Sequence, residues 1–202
     1  MVRILSFDVG VKNLALCDLS LDENKSITIE DWTVLDISET GKSSKYDIGL
    51  VSANLMKTLW ERYGSTSVKI DYVLIENQPV QKNPIMKSIQ IMIYSFFVIQ
   101  STVHNSVGAV KLISARNKLK TLETIADKTK KDAIVEEAVA KAKCTSGYKY
   151  NKKLSILLAA HFIVSMKLSE ETVQLFDHNK KKDDLADTFL QALNFINTVL
   201  AF

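Results

Sequence analysis

The sequence predicts an α/β domain with a mixed five-stranded sheet flanked by helices. Two patterns carry that expectation. An apolar strand, a tight turn and a returning strand open the chain and a third strand follows, which makes an antiparallel meander. Short apolar strands then alternate with segments of helical period, which makes the later strands parallel under the right-handed crossover rule. A length of 202 residues, 47% of them hydrophobic and 24% charged, suits one domain with a sizeable core.

The first strand covers Arg3 to Val9 and the second Leu14 to Leu19, turning at Gly10. Asp22-Glu23-Asn24-Lys25 is a polar turn, Ser26 to Ile37 the third strand, and Ser38 to Ser44 a loop. Ile48, Val51, Leu55, Leu59 and Trp60 recur at helical spacing within Asp47 to Tyr63, and Gly64-Ser65 ends that helix. Asp71 to Glu76 is a fourth strand, broken by Asn77-Gln78-Pro79 because Pro79 lacks the N–H of a central ladder. Pro84 suits the first turn of a long helix whose apolar residues, Ile89 to Ile99, run almost all round. Such a helix is buried on every side, which points to a subunit interface. Ala109 to Ile113 is the fifth strand. A charged helical insertion over about 115–147 follows, and Lys152 to Met166 is the next helix. The last helix runs from near Asp183 to the C-terminus on a core face of Leu185, Phe189, Leu193, Ile196 and Leu200. Residues 1–202 form a single domain in this reading.

Net charge is only +3, but Lys111 to Lys153 holds twelve Lys/Arg against five Asp/Glu. That local excess suits a polyanionic partner or a solvated basic face. Cys17 and Cys144 lie far apart without zinc spacing, as in an intracellular protein with reduced thiols. Met1 leads straight into strand-like sequence, so no signal peptide is expected. The most apolar run, Ile85 to Val103, carries Lys87, Gln90 and Gln100, which makes it a poor bilayer span.

Chemistry enters with the carboxylates. Asp8 ends an apolar strand, where an unpaired charge is costly; it caps the strand before a turn or holds a cation. Glu76 ends a second strand. Asp184 and Asp187, at i and i+3, project together from the last helix. Asp183 reads as its N-cap, and acids in a first turn also complement the helix dipole, which leaves Asp187 unexplained. If the two strands are neighbours and the helix crosses their ends, all four carboxylates converge, and hard divalent cations would relieve their repulsion.

Phe7-Asp8-Val9-Gly10 with Lys12-Asn13, then Ile75-Glu76-Asn77-Gln78-Pro79, then Asp183-Asp184-Leu185-Ala186-Asp187 closely resembles the poxvirus Holliday junction resolvases. These belong to the RuvC-like branch of the ribonuclease H-like fold, with the fungal mitochondrial resolvases. The three blocks stand in family order across nearly the whole chain. Tyr148-Lys149-Tyr150-Asn151-Lys152-Lys153-Leu154-Ser155 resembles the family's Tyr-rich basic segment at the start of the penultimate helix. The family has a basic residue where Asn77 stands, and Val80-Gln81-Lys82-Asn83 is less basic than its counterpart.

The resemblance implies a structure-selective endonuclease that hydrolyses branched DNA, four-way junctions above all, leaving 5′-phosphate and 3′-hydroxyl ends. Asp8, Glu76, Asp184 and Asp187 would be catalytic ligands of two Mg²⁺ per site, Mn²⁺ substituting, with Asp8 shared. Lys152 or Lys153 would be a catalytic lysine stabilising charge on the scissile phosphate. Lys12, Lys82, Arg116, Lys118, Lys149, Lys152 and Lys153 would contact DNA phosphates. A junction offers two equivalent strands, so a homodimer is the expected reader. His104 and His161 read as structural histidines in apolar helices, and His178 as a possible neighbour of the site. The expected setting is intracellular, at a viral replication site in the host cytoplasm rather than a mitochondrion. Two other readings stand beside this one: a ribonuclease H-like nuclease acting on RNA–DNA hybrids or flaps, and a non-catalytic junction-binding protein. An actin-like ATPase needs a second subdomain that does not fit this length.

Overall fold

The computed structural model describes residues 1–38, 46–64, 69–81 and 83–200. Among these residues five strands form one sheet: β1 (Val2–Asp8), β2 (Leu14–Leu21), β3 (Ile27–Leu35), β4 (Ile70–Glu76) and β5 (Val107–Ile113). Their order is β3-β2-β1-β4-β5, with β1–β2 and β2–β3 antiparallel and β1–β4 and β4–β5 parallel. The expected mixed sheet is present, and β1 lies at its centre. Gly10 in the β1–β2 turn is required by close packing, since a Cβ there would overlap the Asn13 backbone carbonyl.

Among the described residues there are six α-helices: α1 (Ile48–Tyr63), α2 (Pro84–Thr102), α3 (Lys128–Ala142), α4 (Tyr148–Ser165), α5 (Glu170–His178) and α6 (Lys182–Val199). Asp47 caps α1 through the Gly49 and Leu50 amides, and Asn83 caps α2 ahead of Pro84. Two apolar cores result. One face of the sheet packs Leu5, Phe7 and Val73 against Leu55 and Leu59 of α1 and Ile93 and Phe97 of α2. The opposite face packs Ile4, Leu19 and Leu74 against Leu185, Phe189 and Leu193 of α6 and Leu158 and Phe162 of α4.

Several expectations shift. The charged segment after β5 is a 3-10 helix (Lys118–Thr124) followed by α3, and Ile125 and Ala138 are buried in the second core. The segment is thus helical, as expected, and packs against the core. α4 starts at Tyr148, four residues earlier than its apolar period shows. α5 was not expected at all. α6 starts at Lys182 with Lys181 as N-cap residue, so Asp183 sits inside the first turn and is no cap. His104 lies exposed in the turn after α2, not within an apolar helix, whereas His161 packs edge-on to Phe162 in α4. Cys17 and Cys144 are free thiols.

Candidate active site

Because β1 and β4 run parallel and pair Phe7 with Ile75, their last residues, Asp8 and Glu76, emerge side by side at one end of the sheet. The ends of parallel strands are where such folds collect functional groups. α6 crosses that end and adds Asp184 and Asp187 from its first turns. All four carboxylates line one cavity of about 500 Å³.

Three contacts fix α6 there. Gln191, one turn beyond Asp187, donates from Nε2 to Ser6 Oγ (3.0 Å) and to the Phe7 carbonyl (3.3 Å), so α6 is fastened to β1 directly beside Asp8. Trp32 of β3 donates from Nε1 to the Leu185 carbonyl (3.1 Å). Both donors are buried, and unpaired they would be costly, which ties the helix to this register. On the other side, Gln78 donates its amide N–H to Gln90 Oε1 of α2 (2.7 Å) and its side-chain amide to Glu76 Oε1 (3.2 Å). Lys87 of α2 lies 3.1 Å from Asn77 Oδ1, so the helix supplies a cation where the Asn77 turn lacks one.

Lys118, the first residue of the 3-10 helix, stands among the carboxylates. Its ammonium donates to Glu76 Oε2 at 3.0 Å and to Asp187 Oδ2. Burial alone would lower its pKa, but Asp187, Asp8 and Glu76 outweigh that and raise it. Asp8 is pushed well above the usual carboxylate range, first by burial and then by Glu76. Burial also raises Asp187, against the pull of Lys118, and Asp184, which Asp183 raises further. Asp184 Oδ2 and Asp187 Oδ1 are buried without a hydrogen-bond partner. Among the described residues no three His, Cys, Asp or Glu side chains already stand close enough together to hold a metal ion. The site nonetheless fits a hard divalent cation in its chemistry: every donor is a carboxylate oxygen, and two of those oxygens lack any other partner.

The predicted basic residues separate. Lys152 lines the cavity and pairs with Asp183 at 2.5 Å, while Lys153 is exposed and outside the lining. Arg116 is exposed on the cavity wall. Lys149, in the first turn of α4, and Lys12, in the β1–β2 turn, are exposed beyond it, and Lys82 lies outside the described residues. Lys118, expected as a phosphate contact, stands among the carboxylates, in the cavity that Lys152 also lines. Its place just past the end of a parallel strand was the signal available for it. His178 is exposed and bonds to the Gln174 carbonyl, away from the cavity. Asp183 serves as the partner of Lys152.

Known proteins share this arrangement of chain. The Fowlpox virus resolvase, solved with its substrate Holliday junction DNA, superposes with a TM-score of 0.62 at 18% identity over 98% of this chain and 99% of its own. The yeast mitochondrial Holliday junction resolvase Ydc2 gives 0.59 at 18% identity over 96% and 79%. These likenesses show the ribonuclease H-like fold. An uncharacterized protein of Acanthamoeba polyphaga mimivirus, L451, is 30% identical over 161 residues, 77% of this chain. The chain spans only 36% of that relative's length. Residues 1–144 match the family described as Poxvirus A22 protein, and the chain belongs to that family.

Proposed function

We propose that this chain is a structure-selective endonuclease that resolves four-way and other branched DNA junctions by metal-dependent phosphodiester hydrolysis. The observation that carries the reading is the convergence of Asp8, Glu76, Asp184 and Asp187 with Lys118 on one open cavity. Family membership and the likeness in fold to two Holliday junction resolvases support it. Asp8, Glu76, Asp184 and Asp187 would hold two Mg²⁺ per site, with Mn²⁺ able to substitute. Bound there, the cations supply an activated water and charge stabilisation for the leaving oxygen.

The chain's own side chains do the remaining work. Lys118 holds Glu76 and Asp187 apart from each other's charge and is placed to follow negative charge onto the scissile phosphate. Lys152, aligned by Asp183, and Arg116 draw a phosphate toward the cavity. Lys12, Lys82, Lys149 and Lys153 would extend that basic track along the backbone, giving affinity without reading sequence. The segment 115–147 thereby belongs to the single nuclease domain, since it delivers Arg116 and Lys118. The exposed apolar side of α2 is the proposed contact of a homodimer with two sites. No helix among the described residues is long and apolar enough to cross a membrane, and the proposed setting is a viral replication site in the host cytoplasm.

The test is cleavage of a synthetic four-way junction with and without Mg²⁺ by the native chain and by Asp8→Asn. Paired symmetric nicks that need the metal and vanish in Asp8→Asn are expected. Cleavage of RNA–DNA hybrids in preference to junctions would replace the substrate assignment. A non-catalytic junction-binding protein is the second reading, favoured by the neutralisation of Glu76 and Asp187 by Lys118; tight binding without nicking in Mg²⁺ or Mn²⁺ would establish it.

A further inference from the structure

Tyr148 lines the carboxylate cavity, yet it is 79% exposed, so its ring stands at the rim. It is the first residue of α4, and the preceding Gly147 has open space where a Cβ would lie. At that exposure most of the ring surface is open to solvent. The Lys152 ammonium lies 5.6 Å from its centroid and is itself anchored on Asp183 at 2.5 Å. Arg116 is exposed on the same cavity wall. An exposed aromatic face flanked by cations at the edge of a phosphate-handling cavity is the composition of a platform for unpaired bases. A continuous duplex keeps its bases stacked on one another and has none to offer; a branch point interrupts that stacking.

We propose that Tyr148 stacks on a nucleobase released from its neighbours beside the scissile phosphate, and so acts as a positioning residue that favours branched over continuous duplex DNA. This rests on the nuclease reading above. Loss of one stacked base corresponds to a fall of about tenfold to a hundredfold. Tyr148→Ala should therefore lower junction cleavage by about that factor, and Tyr148→Phe, which keeps the π face, should stay within about threefold of the native rate. The direct probe is a four-way junction carrying 2-aminopurine beside the branch, bound by the full chain in an Asp8→Asn background that leaves the DNA intact. Binding should change the fluorescence of that base with Tyr or Phe at position 148 and leave it unchanged with Ala. A fluorescence change that persists in Tyr148→Ala overturns the proposal, as does native-rate cleavage by that variant. Reduced cleavage with no Tyr148-dependent fluorescence change also overturns it, because the ring then serves only to hold Lys152. If the native chain neither binds nor nicks the junction, the nuclease reading fails and stacking fails with it.

Discussion

α6 and α2 lie on opposite faces of the same sheet, and they are covered differently. From Leu185 to Ile196 every residue of α6 except Asp187 is buried, because the sheet, α4, α5 and the 3-10 helix surround it. α2 buries Ile89, Ile93 and Phe97 against the sheet and α1, but leaves Ile91 46% and Ile99 52% exposed, and Trp60 of α1, edge-on to Phe96, is 56% exposed. An apolar circumference states how much surface needs cover, not what supplies it. On the α6 face one chain supplies the cover, so carboxylates can be held there at fixed positions despite their repulsion. On the α2 face the described residues leave Ile91 and Ile99 about half exposed.

The sharpest way to break the comparison is to remove charge from the α6 face. Asp8→Asn should lower metal-dependent junction cleavage by about a thousandfold or more, the scale of several kcal/mol expected when a charge-stabilising metal ligand is lost. It should also raise the melting temperature of the metal-free chain at neutral pH, since burial and Glu76 both oppose ionisation of Asp8. A fall in activity together with a fall in stability would mean that Asp8 is structural. Lys118→Met acts oppositely. It strands Glu76 and Asp187 without their cation, and breaking such a partly buried network costs about 3 kcal/mol, readable by urea unfolding.

The acidic cluster also gives the α6 face a dependence on pH. Asp8, Asp184 and Asp187 all have raised folded pKa values, so the folded state holds these protons more tightly than the unfolded chain does. Their contribution to stability is fully present below the ordinary carboxylate range and is lost as pH rises through the raised values. Lys118, raised as well, keeps its contribution until pH passes the ordinary lysine value, so it does not alter that slope near neutrality. A divalent cation competes with the same protons. Mg²⁺ should therefore raise the melting temperature more at about pH 8 than at about pH 5. An equal shift at both pH values would place the ion away from these carboxylates.

These two faces were not equally legible in sequence. The sheet could be read because each strand is a bounded apolar run, and Asp8 and Glu76 stood out as carboxylates where such runs end. The i, i+3 spacing was enough to put Asp184 and Asp187 on one side of α6. α5 left no such trace: in nine residues it buries only Thr172 and Phe176, too few for a visible period. The first turn of α4, Tyr148 to Asn151, is polar and hid the helix start. Lys118 was one lysine in a basic stretch, and only the parallel β4–β5 pairing brings the end of β5 beside Glu76. Asp183 reads as a cap in the sequence because nothing there shows Lys152 reaching it from α4.

The gentlest change sharpens the comparison from the α2 face, and it can be made within one helix. Ile89 is fully buried and Ile91 lies two residues on, across the helix and 46% exposed. Ile89→Ala should cost about 2–4 kcal/mol of unfolding free energy through lost contacts and a residual cavity. Ile91→Asp and Ile99→Asp should each cost the monomer less than Ile89→Ala, about 1 kcal/mol or less, since roughly half of each side chain already faces outward. They should instead convert a sedimenting dimer to a monomer, because an aspartate in a closely packed apolar interface would be buried without a partner. That separation, unfolding for one isoleucine and dissociation for its neighbours, is what an interface on α2 requires. If Ile91→Asp and Ile99→Asp leave the oligomeric state unchanged, the apolar circumference of α2 has no partner copy, and the two sites of a symmetric junction reader would have to be brought together through another surface.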